Sequence, residues 1–134
     1  MLTPDAQARA AIDEHDDSPK ARWARRWPQK TRVDALVGLP VNDDGDRTLG
    51  IVRDVVRAPD GSIRLVVAYN RTFGWFGWFT RPVAVPIEVV ALYGRQLASL
   101  DMQPPAWASA PTWVAGTDHP LSGDEIIRVA LTKR

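Results

Sequence analysis

The residues with the strongest metal-binding character are Asn42 to Asp46, which read NDDGD. Carboxylate and amide oxygens at this spacing are typical of part of a calcium loop, which needs a further glutamate at its end to complete the coordination. Position 53, where that glutamate would fall, is Arg53. The run therefore predicts a solvated turn between strands, with Gly45 supplying a positive φ, and it predicts no metal site.

Groups for acid–base or nucleophilic catalysis are few and scattered. The two histidines, His15 and His119, lie one in each terminal region, where we expect no rigid scaffold to hold them. Asp54 and Glu88 are the candidate paired carboxylates, but no motif relates them, and a structural hydrogen-bonding role fits Asp54 better. The chain has no cysteine, which excludes disulfides, thiolate metal sites and cysteine nucleophiles. We predict a protein that is not an enzyme, with no catalytic residue, cofactor or metal.

A basic segment follows an acidic cluster near the N-terminus. Six basic residues and no acidic residue lie between Ser18 and Val33. Ser18 and Pro19 form a helix start, and two tryptophans spaced four apart would share one face of that helix before Pro28 ends it. The residues that could contact an anionic surface are Arg22, Trp23, Arg25, Arg26, Trp27 and Lys30.

Four interpretations of this basic segment stay open. Lysine and arginine supply charge for an anionic membrane surface, where tryptophan favours the interface. The same composition suits single-stranded RNA, because aromatic rings stack on bases. The segment could also contact another protein. The remaining interpretation is a solvated helix whose tryptophans pack on its own domain or on a second subunit.

A second cluster of aromatic residues lies in the middle of the chain. Between residues 73 and 79, five of seven residues are aromatic and the other two are glycine. In an extended chain these rings fall on both faces, and one small domain cannot cover both. We predict a glycine-hinged loop whose rings contact a partner. Its interface residues are Phe73, Trp75, Phe76, Trp78 and Phe79.

The partner for this aromatic loop could be an identical subunit, a different protein or a bilayer surface. Two or three exposed rings exceed the apolar patch that a monomer usually leaves in water. A homodimer is our first expectation, since closed two-fold symmetry commonly uses a self-complementary patch. The alternative is that the terminal segments of the same chain cover the rings.

The elements that would hold these residues are short strands separated by turns. Residues 48–57 and 62–69 are β-branched and apolar, and the turn at 58–61 (APDG) predicts an antiparallel hairpin between them. Gly50 inside the first strand marks a bend or a close backbone approach. Further short extended segments are expected at 35–41, 82–86, 89–94 and 96–102. This pattern predicts a mainly β fold, a small barrel or sandwich.

Three regions are expected along the chain. Residues 1–33 form an N-terminal arm that is partly helical or disordered, 34–102 form the β domain, and 103–134 form a tail rich in proline and tryptophan along its surface. At the end of the tail, residues 122–125 match a capping box before a helix, whereas residues 127–131 alternate as in a strand. Helix and strand both stay open there.

The central segment resembles the PRC-barrel domain. The matching pieces are 36–56 (LVGLPVNDDGDRTLGIVRDVV), 59–69 (PDGSIRLVVAY), a Gly/aromatic stretch, and 83–90 (VAVPIEVV). That family includes the cytoplasmic domain of the photosynthetic reaction-centre H subunit, the C-terminal domain of the 16S ribosome-maturation factor, and stand-alone bacterial proteins. The resemblance implies a small, strongly bent β-barrel with a binding or assembly role, and it carries no catalytic residues.

Together these features predict a non-enzymatic interaction module that self-associates through residues 73–79. One alternative is a membrane-peripheral accessory protein of a photosynthetic or other membrane complex. A further alternative is a ribosome- or RNA-associated module. Seven arginines and seven acidic residues balance between 35 and 102, which disfavours nucleic acid. No apolar run is long enough to span a bilayer and no secretory signal is present, so the expected location is the cytoplasm.

Overall fold

The computed structural model describes residues 18–70 and 80–132, and its architecture is mainly β. The helices in these ranges are α1 (Pro19–Ala24), α2 (Val33–Leu36), the 3-10 helix η1 (Ile87–Val89) and α3 (Pro104–Ser109). The strands are β1 (Gln29–Arg32), β2 (Pro40–Asn42), β3 (Thr48–Arg57), β4 (Ile63–Asn70), β5 (Thr80–Pro86), β6 (Val90–Tyr93), β7 (Gln96–Ser99), β8 (His119–Pro120) and β9 (Ile126–Leu131). None of the helices in these ranges has the length and apolar character to cross a bilayer.

The central feature is the predicted hairpin, which is confirmed as β3 and β4. The two strands pair antiparallel from Gly50 opposite Tyr69 to Arg57 opposite Ile63. Gly61 in the connecting turn has a φ of 89°, which glycine adopts without strain. The pairing shifts between Val52 and Asp54. Such a bulge bends a strand and increases its twist.

The strands form one sheet in the order β1-β9-β6-β7-β2-β3-β4-β5, and β8 pairs with β3 beside this path. Most neighbours are antiparallel, but β2 pairs parallel with β7 and β6 pairs parallel with β9. Within the described residues the hydrogen-bonded path is open, with β1 at one end and β5 at the other. In these residues the structure is therefore an open nine-stranded sheet rather than a ring of paired strands.

The hydrophobic core contains residues from all parts of the described chain. Leu36, Val55, Leu65 and Val85 are fully buried in the middle of the sequence. Trp107, from the proline-rich tail, is fully buried as well, and so are Val129 and Ala130 of β9. The prediction that the tail lies along the surface was therefore wrong for these residues. Strand β9 lies between β1 and β6 in the sheet. Residues 126–131 therefore form the strand that their alternating pattern indicated, not the helix that the capping box indicated.

The N-terminal segment is also part of the packed structure from Ser18 onward. Helix α1 begins at Ser18, whose side chain accepts a hydrogen bond from the Ala21 N–H, as the predicted helix start requires. Ala21 is buried, and Gln29–Arg32 pair with β9. The expectation that the arm stays outside the core was wrong for this part. The first seventeen residues, with His15 and the acidic cluster, lie outside the described residues.

Two local predictions differ from the structure. Residues 33–36, at the start of the expected strand 35–41, form the helical turn α2, which Val33 and Leu36 anchor by burying their side chains. In the turn after β2, the residue with positive φ is Asp46, at 60°, and not Gly45. The Asp43 carboxylate accepts hydrogen bonds from the N–H groups of Gly45 and Arg47, and this network holds the turn.

Candidate interaction surfaces

The basic segment is fixed to the sheet by one carboxylate. Asp101, whose side chain is 4% exposed, follows β7 and accepts hydrogen bonds from the Arg22 and Arg26 guanidinium groups, each at 2.9 Å. Two of the six residues predicted to contact an anionic surface are therefore paired within the chain. Their role is to attach α1 and the segment after it to the rest of the fold.

The environment of Asp101 sets its protonation. Burial acts to raise the pKa of this carboxyl, but hydrogen bonds and charge from Arg26 and Arg22 outweigh burial and hold the pKa below its ordinary value of 3.8. The folded state therefore favours the ionised carboxylate. The ion pairs therefore stabilise the fold at pH values above the pKa that Asp101 has in the unfolded chain. This stabilisation is lost as the pH falls through the lower pKa that Asp101 has in the folded chain.

We expect Asp101→Asn to lower the free energy of unfolding by about 1.5 kcal/mol, the low end for hydrogen bonds to charged groups, because both arginines keep contact with water. The difference from wild type should shrink as the pH falls below the ordinary pKa of an aspartate and through the lowered pKa of Asp101 in the folded state. Urea unfolding of wild type and Asp101→Asn at neutral and acidic pH measures this difference in the free energy of unfolding. A difference that is constant across this range would show that the ion pairs do not stabilise the fold.

The two tryptophans of the segment do not share a helix face. Helix α1 ends at Ala24, and Trp27 has a φ of 54°, which takes it out of the helix. Trp27 is 77% exposed. The indole Nε1 of Trp23, by contrast, is buried without a hydrogen-bond acceptor. An unsatisfied buried donor costs about 1–3 kcal/mol, so this N–H marks a position where an acceptor would be favourable.

The solvent face of the β1–β9 pair carries charges that the sequence did not bring together. Lys30 of β1 lies directly opposite Arg128 of β9, and both side chains are exposed. Within residues 18–70 and 80–132, neither forms an ion pair with an acidic residue. Like charges directly opposite on neighbouring strands are destabilising. Arg25 is half-buried and lies nearer the core than this pair.

A second surface lies at the base of the predicted aromatic loop. Arg81, in β5, donates hydrogen bonds to the carbonyl oxygens of Ala108 at 2.9 Å and Ala110 at 2.7 Å, at the end of α3. Its guanidinium carbon lies 5.4 Å from the ring centre of Tyr69, which stacks on Trp107 at 6.0 Å. This network ties both strands that flank the loop to the C-terminal tail.

An apolar cleft of about 380 Å³ adjoins this network. It lies between the end of β4, the turn after β2 and helix α3, and its lining includes Leu49, Tyr69, Pro104 and Pro105. The last paired residues of the hairpin β4–β5 are Asn70 and Thr80, opposite each other. All five predicted interface residues, Phe73 to Phe79, lie outside the described residues.

The candidate catalytic groups are placed as structural or solvent-exposed residues. The Asp54 carboxylate accepts a hydrogen bond from the Val55 N–H, which fits the predicted structural role. His119 is exposed on β8. Within the part of the chain that the structure covers, no three His, Cys, Asp or Glu side chains are grouped to hold a metal ion.

Sequence reasoning missed Asp101, Arg81 and Arg128 as key residues. Each acts through a partner far away in the chain, and no local pattern marks such pairs.

In comparisons with known proteins, no family model matches the chain, and no curated protein matches it either.

Proposed function

We propose that the chain is a non-enzymatic interaction module of PRC-barrel type that self-associates through the aromatic loop at residues 73–79. The observation that carries this proposal is the anchoring of both flanking strands. Asn70 and Thr80 are paired, and Arg81 and Tyr69 are fixed together against the tail. The residues on either side of the predicted loop are therefore held in place, as a site that presents rings to a partner requires.

The order of the strands and turns supports the PRC-barrel part of the proposal. The order of a short strand, an Asp/Gly turn, a long strand with an internal glycine, a Pro-Asp-Gly turn and an apolar strand is the order of the resembling segment. The pairing shifts register in β3 and between Val41 and Asn42, and bulges of this kind bend strands. Approach of the two ends of the sheet, β1 and β5, would complete a barrel.

Self-association is tested with the triple variant Trp75→Ser, Phe76→Ser and Trp78→Ser. We expect a folded monomer of higher solubility where the wild type is a dimer, because two or three rings of about 150–250 Å² each leave the interface. Sedimentation measures the mass, and circular dichroism checks the fold. An unfolded variant would mean that the rings belong to the core of one chain.

A second candidate function is peripheral contact with an anionic membrane. The observation that favours it is the exposed Trp27, three residues before Lys30, which lies opposite Arg128 of β9. An anionic surface would relieve the repulsion within this pair, and indole rings favour the membrane interface. The arginines paired with Asp101 would not take part.

We expect wild type to bind vesicles of anionic lipid at low salt and to lose binding as salt rises, since charges are screened beyond about 10 Å at 0.1 M. The variant Lys30→Glu with Arg128→Glu should bind at least tenfold more weakly. The matched control is Arg53→Glu with Arg95→Glu, two exposed arginines elsewhere on the surface. Equal binding to neutral and anionic vesicles would contradict this function.

A further inference from the structure

A mixed-charge cleft of about 390 Å³ lies where helix α1 meets the β3–β4 turn, η1 and β9. Its volume falls within the range of small-molecule sites, roughly 300–1,000 Å³. Among the described residues it shares no lining residue with the apolar cleft beside α3.

The charges of this cleft are two cations and two carboxylates. Lys20 of α1 and Arg128 of β9 supply the cations, and Asp60 and Glu88 supply the carboxylates. Among the described residues, Lys20, Glu88 and Arg128 form no ion pair. The Arg128 guanidinium donates one long hydrogen bond, 3.4 Å, to the Pro28 carbonyl oxygen.

Asp60 is held in its ionised form by its neighbour in the turn. Its carboxylate accepts hydrogen bonds from the Ser62 hydroxyl at 2.7 Å and from the Ser62 N–H at 3.0 Å. These bonds lower the pKa of Asp60. The cleft therefore offers permanent negative as well as positive charge at neutral pH.

The cleft also has an apolar wall. Trp23 lines the cleft, so its indole ring reports on what the cleft holds. Ile63 and Ile87, from β4 and η1, supply apolar surface. Small-molecule sites typically combine such a wall with a few polar groups that fix orientation.

We propose that this cleft binds a small zwitterion of the α-amino-acid class. A simple anion would meet the carboxylates of Asp60 and Glu88, and a simple cation would meet Lys20 and Arg128. A zwitterion places its carboxylate toward Lys20 and Arg128. Its ammonium group faces the acids, and the isoleucines favour an apolar side chain.

The test is a titration with L-leucine followed by NMR of the indole N–H resonances in ¹⁵N-labelled full-length protein. The Trp23 resonance is assigned by its loss in Trp23→Phe. N-acetyl-L-leucine, which lacks the ammonium group, and L-leucinamide, which lacks the carboxylate, are the matched probes. We expect a saturable shift of the Trp23 resonance at millimolar L-leucine and at least tenfold weaker binding of both analogues.

Variants locate the site and separate binding from folding. Lys20→Gln and Glu88→Gln should each weaken L-leucine binding about tenfold, since each removes one charge partner. Arg53→Gln, outside the cleft, should leave it unchanged, and thermal unfolding checks that all three variants are folded. No Trp23 shift with L-leucine would overturn the proposal. Equal binding of either analogue, or unchanged affinity in both cleft variants, would overturn it as well.

Discussion

Replacing Trp107 with alanine is expected to lower the free energy of unfolding by about 3–5 kcal/mol, the range for removing a large buried aromatic ring. Trp107 is fully buried and stacks on Tyr69. Its Nε1 donates to the Ser99 hydroxyl at 3.0 Å, and that hydroxyl donates to the Met102 carbonyl oxygen at 2.6 Å. The substitution leaves a cavity and removes one donor from a buried network.

Urea unfolding measures the effect, and two further variants separate its causes. Trp107→Phe keeps most of the ring but loses the N–H, so its loss of stability should be intermediate. Val114→Ala, at a residue that is 78% exposed, is the surface control and should change stability very little. A loss below about 1 kcal/mol for Trp107→Ala would contradict the packing of the tail into the core.

Replacing Gly50 with alanine is the second change with a large expected effect. A Cβ at this position would collide with the carbonyl oxygen of Ala68 and lie 2.8 Å from the Val67 side chain. Because the obstacle is the backbone of the paired strand β4, it cannot rotate away. We expect a loss of about 3 kcal/mol or more, the upper end for overpacking in a core.

The matched control for this prediction is Gly116→Ala. A Cβ there meets no atom within 4 Å, and Gly116 has no positive φ. This control should be neutral or slightly stabilising, because alanine reduces the freedom of the unfolded chain. If both glycine variants unfold at the same urea concentration, β3 and β4 do not approach as closely as described.

The hairpin could be predicted because its information is local. A Pro-Asp-Gly turn joins two runs rich in β-branched residues, and each signal lies within a few residues. Gly50 carried a similar signal, since glycine inside a strand indicates close backbone approach.

The roles of the terminal segments could not be predicted in this way. Trp107 lies among prolines and alanines with no periodicity, and its burial depends on Tyr69 and Ser99, which belong to other strands. Asp101 stabilises α1 across 75 residues or more of sequence. Strand β9 was ambiguous because a capping-box pattern precedes it, and only its pairing with β1 and β6 selects a strand.

The two candidate interaction sites, the basic segment and the aromatic loop, could be predicted from the sequence to different degrees. The basic segment was found from its charge, but the structure divides it into arginines that hold α1 in place and a smaller exposed set with Trp27 and Lys30. Arg128, the cross-strand neighbour of Lys30, lies about a hundred residues away and gave no local signal. The aromatic loop at residues 73–79 stays a prediction from sequence.

Sedimentation equilibrium of the wild-type protein over a wide concentration range tests the central claim, self-association through residues 73–79, most directly. We expect a reversible dimer at micromolar concentration and a monomer for the folded variant Trp75→Ser, Phe76→Ser and Trp78→Ser. The matched control, Lys30→Glu with Arg128→Glu, should remain a dimer. A wild type that stays monomeric at high micromolar concentration, or a folded triple variant that still dimerises, would show that residues 73–79 do not mediate self-association.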